Sequence, residues 1–310
     1  MLLYTTSKGK LYTGDVLETL RKVQDFQNLK GSVNLVFTSP PFPLVKKKAY
    51  GNLNGEDYIS WMVEVSMELS ALLTDDGSMV IEIGNAWNPG EPTLSTVPIE
   101  TLLRIKKETG LHLCQEIICH NPSRLPSPVQ WVNLERSRLK DSYTRLWWFS
   151  KSVRPKANNT RVLKEYSNQM KEIIEKKKYN AGKRPSGHNI SPTSFLKDNG
   201  GSISASFISD VDKFIFENDL NSSLIFSNNT NNKKYRDYCL SKNIKVHPAR
   251  MSPKLVDFFI HFLTKEGDTV LDPFAGSNTT GWRSEVNGRN WIGIERDRSY
   301  ALASQSRFLP

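Results

Sequence analysis

Two short apolar runs, Asp268-Thr-Val-Leu271 and Asn290-Trp-Ile-Gly-Ile294, flank the loop Asp272-Pro-Phe-Ala-Gly-Ser-Asn-Thr-Thr-Gly281, and this arrangement constrains the fold more than any other stretch. Each run reads as a strand buried on both faces, because it is too short and too uniformly apolar for an amphipathic helix. Trp282-Arg-Ser-Glu-Val286 can continue the loop as a helix, and the second run ends in Glu295. Strand, glycine-containing loop, helix, strand and acid form the order of a nucleotide-binding βαβ unit. An ordinary αβ turn with an acidic N-cap has the same pattern. The loop differs from a phosphate cradle: Asp272 stands where a pyrophosphate would meet a carboxylate, and no Gly-Lys-Ser/Thr ending follows. A carboxylate there suits a ligand with cationic groups, such as the ammonium and sulfonium of S-adenosylmethionine. Glu295 lies nineteen residues after Gly276, near the spacing at which an acid accepts from ribose hydroxyls.

The N-terminal half repeats the strand-then-loop theme. Leu11-Tyr-Thr-Gly-Asp-Val16 reads as a strand leading into a helix from Leu17 to Asp25, with Asp15 at the turn either as a cap or at a ligand's edge. Val33-Asn-Leu-Val-Phe37 is a buried strand that runs directly into Thr38-Ser-Pro-Pro-Phe42. Ligands of open α/β sheets bind outside the carboxyl ends of strands, so this step is well placed for chemistry. Pro40 and Pro41 have no backbone N–H and present carbonyls as pure acceptors; Ser39 adds a hydroxyl and Phe42 a flat face. In isolation the same step is a loop ending a strand. An amphipathic helix is expected over 56–73, ended by Asp75-Asp-Gly77, and Ser78–Gly84 is the next strand. A helix over about 98–108 and strands Leu113–His120 and Thr144–Ser150 follow, the last with Trp147-Trp-Phe149 in the core.

Composition sets the outer limits. A chain of 310 residues with 38% hydrophobic content can bury a large core, most simply as one α/β domain with an insertion. It has neither a long apolar run nor a charged-then-apolar leader, so no membrane span or secretory signal is expected. Cys114, Cys119 and Cys239 fall into no metal-ligand or disulfide pattern, which fits a reducing cytoplasm and no metal. The net charge of +10 is clustered at Lys46–Lys48, Lys176–Lys178, Lys183-Arg184 and Lys233-Lys234. That excess fits a polyanionic partner as well as it fits solvated lysine faces.

After Ser150 the chain becomes rich in Lys, Asn and Ser. A helix is expected at about Arg161–Lys178, and Asn218–Lys234 reads as an exposed loop. This region reads as an insertion contacting the substrate through basic and amide side chains, with Lys183, Arg184, Ser186 and His188 as candidates, joined by Arg124 from the rigid loop Asn121–Pro128 between the two preceding strands. His188 has no partner at metal-ligand spacing. An apolar-periodic helix through Leu263 then delivers the chain to the strand before Asp272.

Taken together, these segments resemble the amino-methylating DNA methyltransferases of the permuted β arrangement. In that family the catalytic half comes first, target recognition sits in the middle and the cofactor loop comes last. Thr38-Ser-Pro-Pro-Phe42 matches the catalytic tetrapeptide in its cytosine-N4 form. Asp272-Pro-Phe-Ala-Gly-Ser277 matches the S-adenosylmethionine loop, Glu295 its ribose acid, and Tyr12-Thr-Gly-Asp15 an acidic cofactor-side motif. His247-Pro-Ala-Arg250 resembles the segment that precedes that loop. Similarity to the cytosine-N4 branch extends through Leu125-Pro-Ser-Pro128, Trp131-Val-Asn133, Trp147-Trp-Phe-Ser-Lys151, Arg184-Pro-Ser-Gly-His188 and Lys197-Asp-Asn-Gly-Gly-Ser202.

The resemblance implies a Rossmann-like α/β methyltransferase fold, circularly permuted, in three parts. These are a catalytic half over 1–150, a target-recognition insertion over 151–246 and a cofactor half over 247–310. It assigns catalysis to Ser39, Pro40, Pro41 and Phe42. It assigns cofactor binding to Asp15, Thr38, Asp272, Pro273, Phe274, Ala275, Gly276, Ser277, Asn278, Thr279, Thr280 and Glu295. It implies double-stranded DNA as substrate, a flipped cytosine, a CAGCTG-like site, and a companion restriction endonuclease acting separately in a prokaryotic cytoplasm. Asn278 replaces the family's commoner glycine, and residues 204–240 differ, which bears on the sequence read. Adenine-N6 transfer uses the same architecture with Asp in place of Ser39. Transfer to cytosine C5 needs a thiolate, and no cysteine lies in a comparable loop. A nucleic-acid-binding module with a vestigial fold is the remaining alternative.

Overall fold

A computed structural model describes residues 1–43, 53–209, 212–216, 224–225 and 233–309. The chain opens with an antiparallel pair, β1 (Leu2–Thr5) and β2 (Gly9–Thr13), then α1 (Val16–Lys22), α2 (Gln24–Gln27) and β3 (Val33–Thr38). Asp15 caps α1 by accepting from the amides of Leu17 and Glu18. Next come α3 (Gly55–Leu72), β4 (Leu73–Gly84), α4 (Val97–Thr109), β5 (His112–His120) and β6 (Tyr143–Ser150). Pro98 lies in the first turn of α4, and Gly110 ends it in the left-handed conformation at φ 70°. The middle of the chain holds β7 (Val162–Lys164), α5 (Asn168–Lys176), β8 (Gly182–Lys183), β9 (Asn189–Ile190), β10 (Phe207–Ser209), β11 (Lys213–Phe216), β12 (Leu224–Ile225) and α6 (Lys233–Ser241). It closes with α7 (Pro253–Leu263), β13 (Thr269–Asp272), α8 (Thr279–Val286), β14 (Asn290–Glu295) and α9 (Arg298–Ser304).

Nine strands form one sheet in the order β1-β2-β14-β13-β3-β4-β6-β5-β10. From β2 to β4 every pair is parallel, while β6 runs antiparallel to both β4 and β5. β13 and β3 are neighbours although more than two hundred residues of sequence separate them. From this pair the chain winds outward in both directions, which makes it the switch point of the sheet.

Both faces are covered, and the strand residues alternate between them. Val36, Met79, Ile81, Trp147 and Phe149 pack with Tyr58, Met62, Val65 and Leu69 of α3. Leu35, Phe37, Val80, Leu146 and Trp148 pack instead with Val256, Phe259 and Ile260 of α7. Two buried faces explain the continuous apolar runs. The indole N–H of Trp148 donates to Ser78 Oγ at 2.9 Å, so its one polar atom is satisfied in the core.

Several expected elements take a different form. The helix expected at Arg161–Lys178 begins only at Asn168, capped by Ser167 Oγ accepting from the Met170 amide. Residues 162–164 pair with β11 instead, and buried Arg161 donates to the carbonyls of Thr264 and Phe262, so tertiary contacts override the local helical pattern. Asp75–Gly77 lie within β4 rather than ending a helix, and the helix expected over Leu17–Asp25 breaks at Val23. The strand β1 and the helices α6 and α9 have no counterpart in the sequence reading. Lys46–Lys48 and most of Asn218–Lys234 lie outside the described residues. No helix among the described residues is long and apolar enough to cross a membrane.

α7 and α8 are joined by a buried ion pair. Asp257 Oδ1 accepts from Arg283 Nε at 2.7 Å and from Asn287 Nδ2 at 2.9 Å. Removing one member leaves the other charge desolvated. Asp257→Ala should therefore lower the unfolding free energy by about 3–5 kcal/mol, read by urea denaturation; a loss below about 1 kcal/mol would show that the pair behaves as a surface contact.

Candidate active site

A cavity of about 680 Å³ opens at the carboxyl ends of β3, β4, β13 and β14. Ser39, Pro40, Pro41 and Phe42 line it from one side; Asp272, Pro273, Phe274, Ala275, Gly276, Ser277, Thr279, Thr280 and Glu295 line it from the other, with Asp15 at the edge. The two motifs that the sequence places far apart thus form one site.

Asp272 is the joint between them. Its carboxylate accepts from Thr38 Oγ1 at 2.7 Å, from Thr280 Oγ1 at 2.7 Å and from the Phe274 amide at 3.1 Å. It is 4% exposed, and burial raises its pKa although the three donors oppose that shift. Its oxygens tie the two loops together, and the residue also lines the cavity. Thr38 and Asn278 do not line the cavity. Thr38 serves Asp272. Asn278 is fully buried at φ 52°, where its Oδ1 accepts from the Gly281 amide and its Nδ2 donates to Tyr4 Oη. Asparagine tolerates this left-handed conformation and caps α8, which accounts for its presence where glycine is commoner.

Gly276 takes φ 52°, and a Cβ there would stand 3.1 Å from the His247 ring. Its amide donates to Glu295 Oε2 at 2.7 Å, and the Asp297 amide donates to Oε1 at 2.8 Å. Burial raises the Glu295 carboxyl from 4.5 to about 7 against those two donors. Burial likewise lowers His247 from 6.5 to about 4, so the ring that packs edge-on against Tyr300 is neutral at physiological pH. Asp15 caps α1 and also lines the cavity.

Glu82, in β4, is the residue the sequence reading missed. Its carboxyl accepts from Thr144 Oγ1 at 2.9 Å, and burial raises its pKa against the Thr144 and neighbouring Ser39 hydroxyls, which lower it. The Arg124 charge lowers it as well. The available signal was an acid inside Met79-Val-Ile-Glu-Ile83, a strand otherwise apolar on both faces. Phe42 lies over Gly84, where a Cβ would come within 2.5 Å of its ring, so this glycine lets the aromatic settle on the end of β4.

Of the residues expected to contact nucleic acid, Arg124 lines the cavity and its Nη1 donates to the Tyr143 carbonyl at 3.0 Å. Lys183, Ser186 and His188 are exposed on the β8–β9 hairpin, which closes through the Arg184 amide donating to the His188 carbonyl at 2.8 Å. Arg184 Nη2 donates back to the Asn180 carbonyl. None of these hairpin residues lines the cavity.

A mostly parallel sheet with a loop-lined cavity at its switch point defines an α/β enzyme that binds a nucleotide-like ligand beside a second substrate. Residues 33–306 match the DNA methylase family of N6 and N4 methyltransferases, and the chain belongs to that family. It is 42% identical over 308 residues to the type II methyltransferase M.PvuII of Proteus hauseri, covering 99% of this chain and 85% of that protein. The solved PvuII DNA methyltransferase (cytosine-N4-specific) superposes with a TM-score of 0.72 at 34% identity, over 99% of this chain and 88% of that one. The M1.HpyAVI–SAM complex shares the fold, with a TM-score of 0.52 at 20% identity over 97% of this chain and 100% of that one.

The Glu295 environment gives a pH dependence. The folded protein holds a proton between pH 4.5 and about 7 that the unfolded chain releases. Its contribution to stability is full below pH 4.5 and is lost as pH rises through about 7. The stability of the wild type relative to Glu295→Gln should fall by about 3 kcal/mol across that window, read by urea unfolding. A pH-independent difference would contradict the assignment.

Proposed function

We propose that this protein is a site-specific DNA methyltransferase that moves a methyl group from S-adenosylmethionine to the exocyclic N4 amine of a cytosine flipped out of duplex DNA. The observation that carries the reading is that Ser39, Pro40, Pro41 and Phe42 line one cavity with Glu295 and the 272–280 loop, with buried Glu82 beside Ser39.

The residues present fit such a cofactor. Phe274 and Trp61, whose ring centroids lie 5.5 Å apart, give the cavity an aromatic wall, and the Glu295 carboxylate retains acceptor capacity for ribose hydroxyls. At the same wall Arg250 Nε and Ser252 Oγ are buried without a hydrogen-bond partner among the described residues. A cofactor with a carboxylate tail would satisfy both. When bound, S-adenosylmethionine supplies an electrophilic methyl carried on a sulfonium.

The remaining chemistry falls to the chain. The N4 amine is a weak nucleophile because its lone pair is delocalised into the ring. Ser39 Oγ, beside Glu82, has lone pairs that accept from one amino proton, and the Pro40 carbonyl accepts from the other. Together they favour a pyramidal nitrogen, and positioning of this kind can contribute roughly 7–11 kcal/mol. As nitrogen forms its new bond, its proton passes to Ser39 Oγ while the serine proton moves to Glu82. Phe42 offers a stacking face to the extruded base.

In this reading residues 151–246 form the target-recognition region, with Arg124 at the cavity and Lys183, Arg184, Ser186 and His188 on a hairpin that contacts DNA. The target is a palindrome of the CAGCTG kind. The enzyme works on nucleoid DNA in a prokaryotic cytoplasm beside a companion restriction endonuclease.

The deciding experiment incubates duplex DNA of mixed sequence with isotope-labelled cofactor and identifies the labelled nucleoside by mass. N4-methylcytosine is expected; N6-methyladenine would overturn the base assignment while leaving the cofactor in place. Ser39→Ala should lower turnover by roughly 10²-fold or more with cofactor affinity unchanged, and Glu82→Gln should lower it in the same direction. Unchanged turnover in either variant would remove that residue from the mechanism.

A further inference from the structure

The segment 121–142 connects β5 to β6 on the side of the sheet where the cavity opens, and Asn121, Arg124 and Tyr143 are cavity residues. Scattered exposed leucines need no explanation. This segment is different, because it displays Leu125, Val129, Leu134 and Leu139, exposed at 80%, 56%, 69% and 89%, among Arg124, Arg136 and Lys140. Leu139 is the most exposed of the large hydrophobic residues in the described chain.

The residues on either side of it are nevertheless tied down. The Arg138 amide donates to the Trp131 carbonyl, while its guanidinium donates to the Pro92 carbonyl at 3.0 Å and pairs with Asp141 at 3.1 Å. Asp141 in turn accepts from Asn85 Nδ2 at 3.1 Å, one residue beyond the glycine beneath Phe42. On the other side Lys140 Nζ donates to the carbonyls of Pro122 and Arg124 at 2.9 and 3.3 Å. The neighbours are fixed to the frame of the cavity, and the leucine between them extends into solvent.

We propose that Leu139 is a wedge that enters the DNA duplex beside the target cytosine and fills the space the base vacates. The inference rests on the function proposed above, since it takes duplex DNA as the partner. Three features argue for it. An apolar side chain on a fixed backbone can displace stacked bases without first paying to order itself. The cations around it complement the phosphates on either side of the opened step. Its anchors, Asn85 and the Arg124 carbonyl, adjoin the residues that line the cavity where the flipped base would go. Leu139 is a positioning residue: it acts by holding the helix open, not by touching the reacting atoms.

The test compares single-turnover methylation on two duplexes, one fully paired and one with the target cytosine opposite an abasic site, where extrusion needs little assistance. Leu139→Ala should be roughly tenfold or more slower on the paired duplex, yet within about twofold of wild type on the abasic one, with cofactor affinity unchanged. Leu139→Met, which retains an apolar wedge, should recover the paired-duplex rate. A Leu139→Ala rate within about threefold of wild type on paired DNA, or an equal loss on both duplexes, would overturn the proposal. Wild-type protein that methylates cytosine in neither duplex would instead overturn the functional reading, and the wedge with it.

Discussion

The buried carboxylate of Asp272 is the contact on which the rest of the site depends. It joins the end of β13, the end of β3 and the first turn of α8 through Thr38 Oγ1, the Phe274 amide and Thr280 Oγ1. Removing an acid from water costs several kcal/mol unless donors replace the lost hydration. Three donors meet this one, two of them hydroxyls on the elements that must be held in register. The joint spans 234 positions of sequence and sets the distance between the Ser39 step and the glycine loop. A sheet whose neighbouring strands come from opposite ends of the chain needs such a tie, because no short connection links them.

The sheet supplies the other half of the precision. Strand pairing fixes Thr38 opposite Ile81, so the first residue beyond β3 emerges level with Glu82. The β4–β6 register sets Glu82 opposite Leu146 and Gly84 opposite Thr144, which brings the Thr144 hydroxyl within reach of the Glu82 carboxyl. A slip of one residue would reverse every face. It would exchange Met79 and Ile81 with Val80 between two cores that are already filled. The geometry of the serine and its acid is therefore enforced by packing well away from the cavity.

The strands around the switch point were legible because burial on both faces leaves nearly unbroken apolar runs, as in Val33–Phe37 and Asn290–Ile294. The loops were legible as motifs, but the direction of each side chain within them was not. Thr38 and Asn278 lie in the motifs yet face inward, because one satisfies Asp272 and the other caps α8 at a left-handed φ. Glu82 was overlooked because periodicity records an acid in a strand only as an interruption; its meaning appears when β3 and β4 align. The stretch at 162–164 looked helical locally and became a strand because β11, much later in sequence, offers it an edge. Contacts of long sequence separation are the part that composition and spacing do not encode.

Charge in the cavity completes the physical account. Burial raises the pKa of Asp272, Glu82 and Glu295 alike, and the nearby Asp272 and Asp297 charges raise Glu295 further. A positively charged group near Glu295 would oppose both the burial and those two charges, which favours a cation there over an isosteric neutral molecule. At Glu82 the Thr144 and Ser39 hydroxyls, and then the Arg124 charge, oppose the burial instead. The two ends of the cavity thus differ in charge: acids gather beside β14, where a cationic group is favoured, and a cation stands beside the acid of β4.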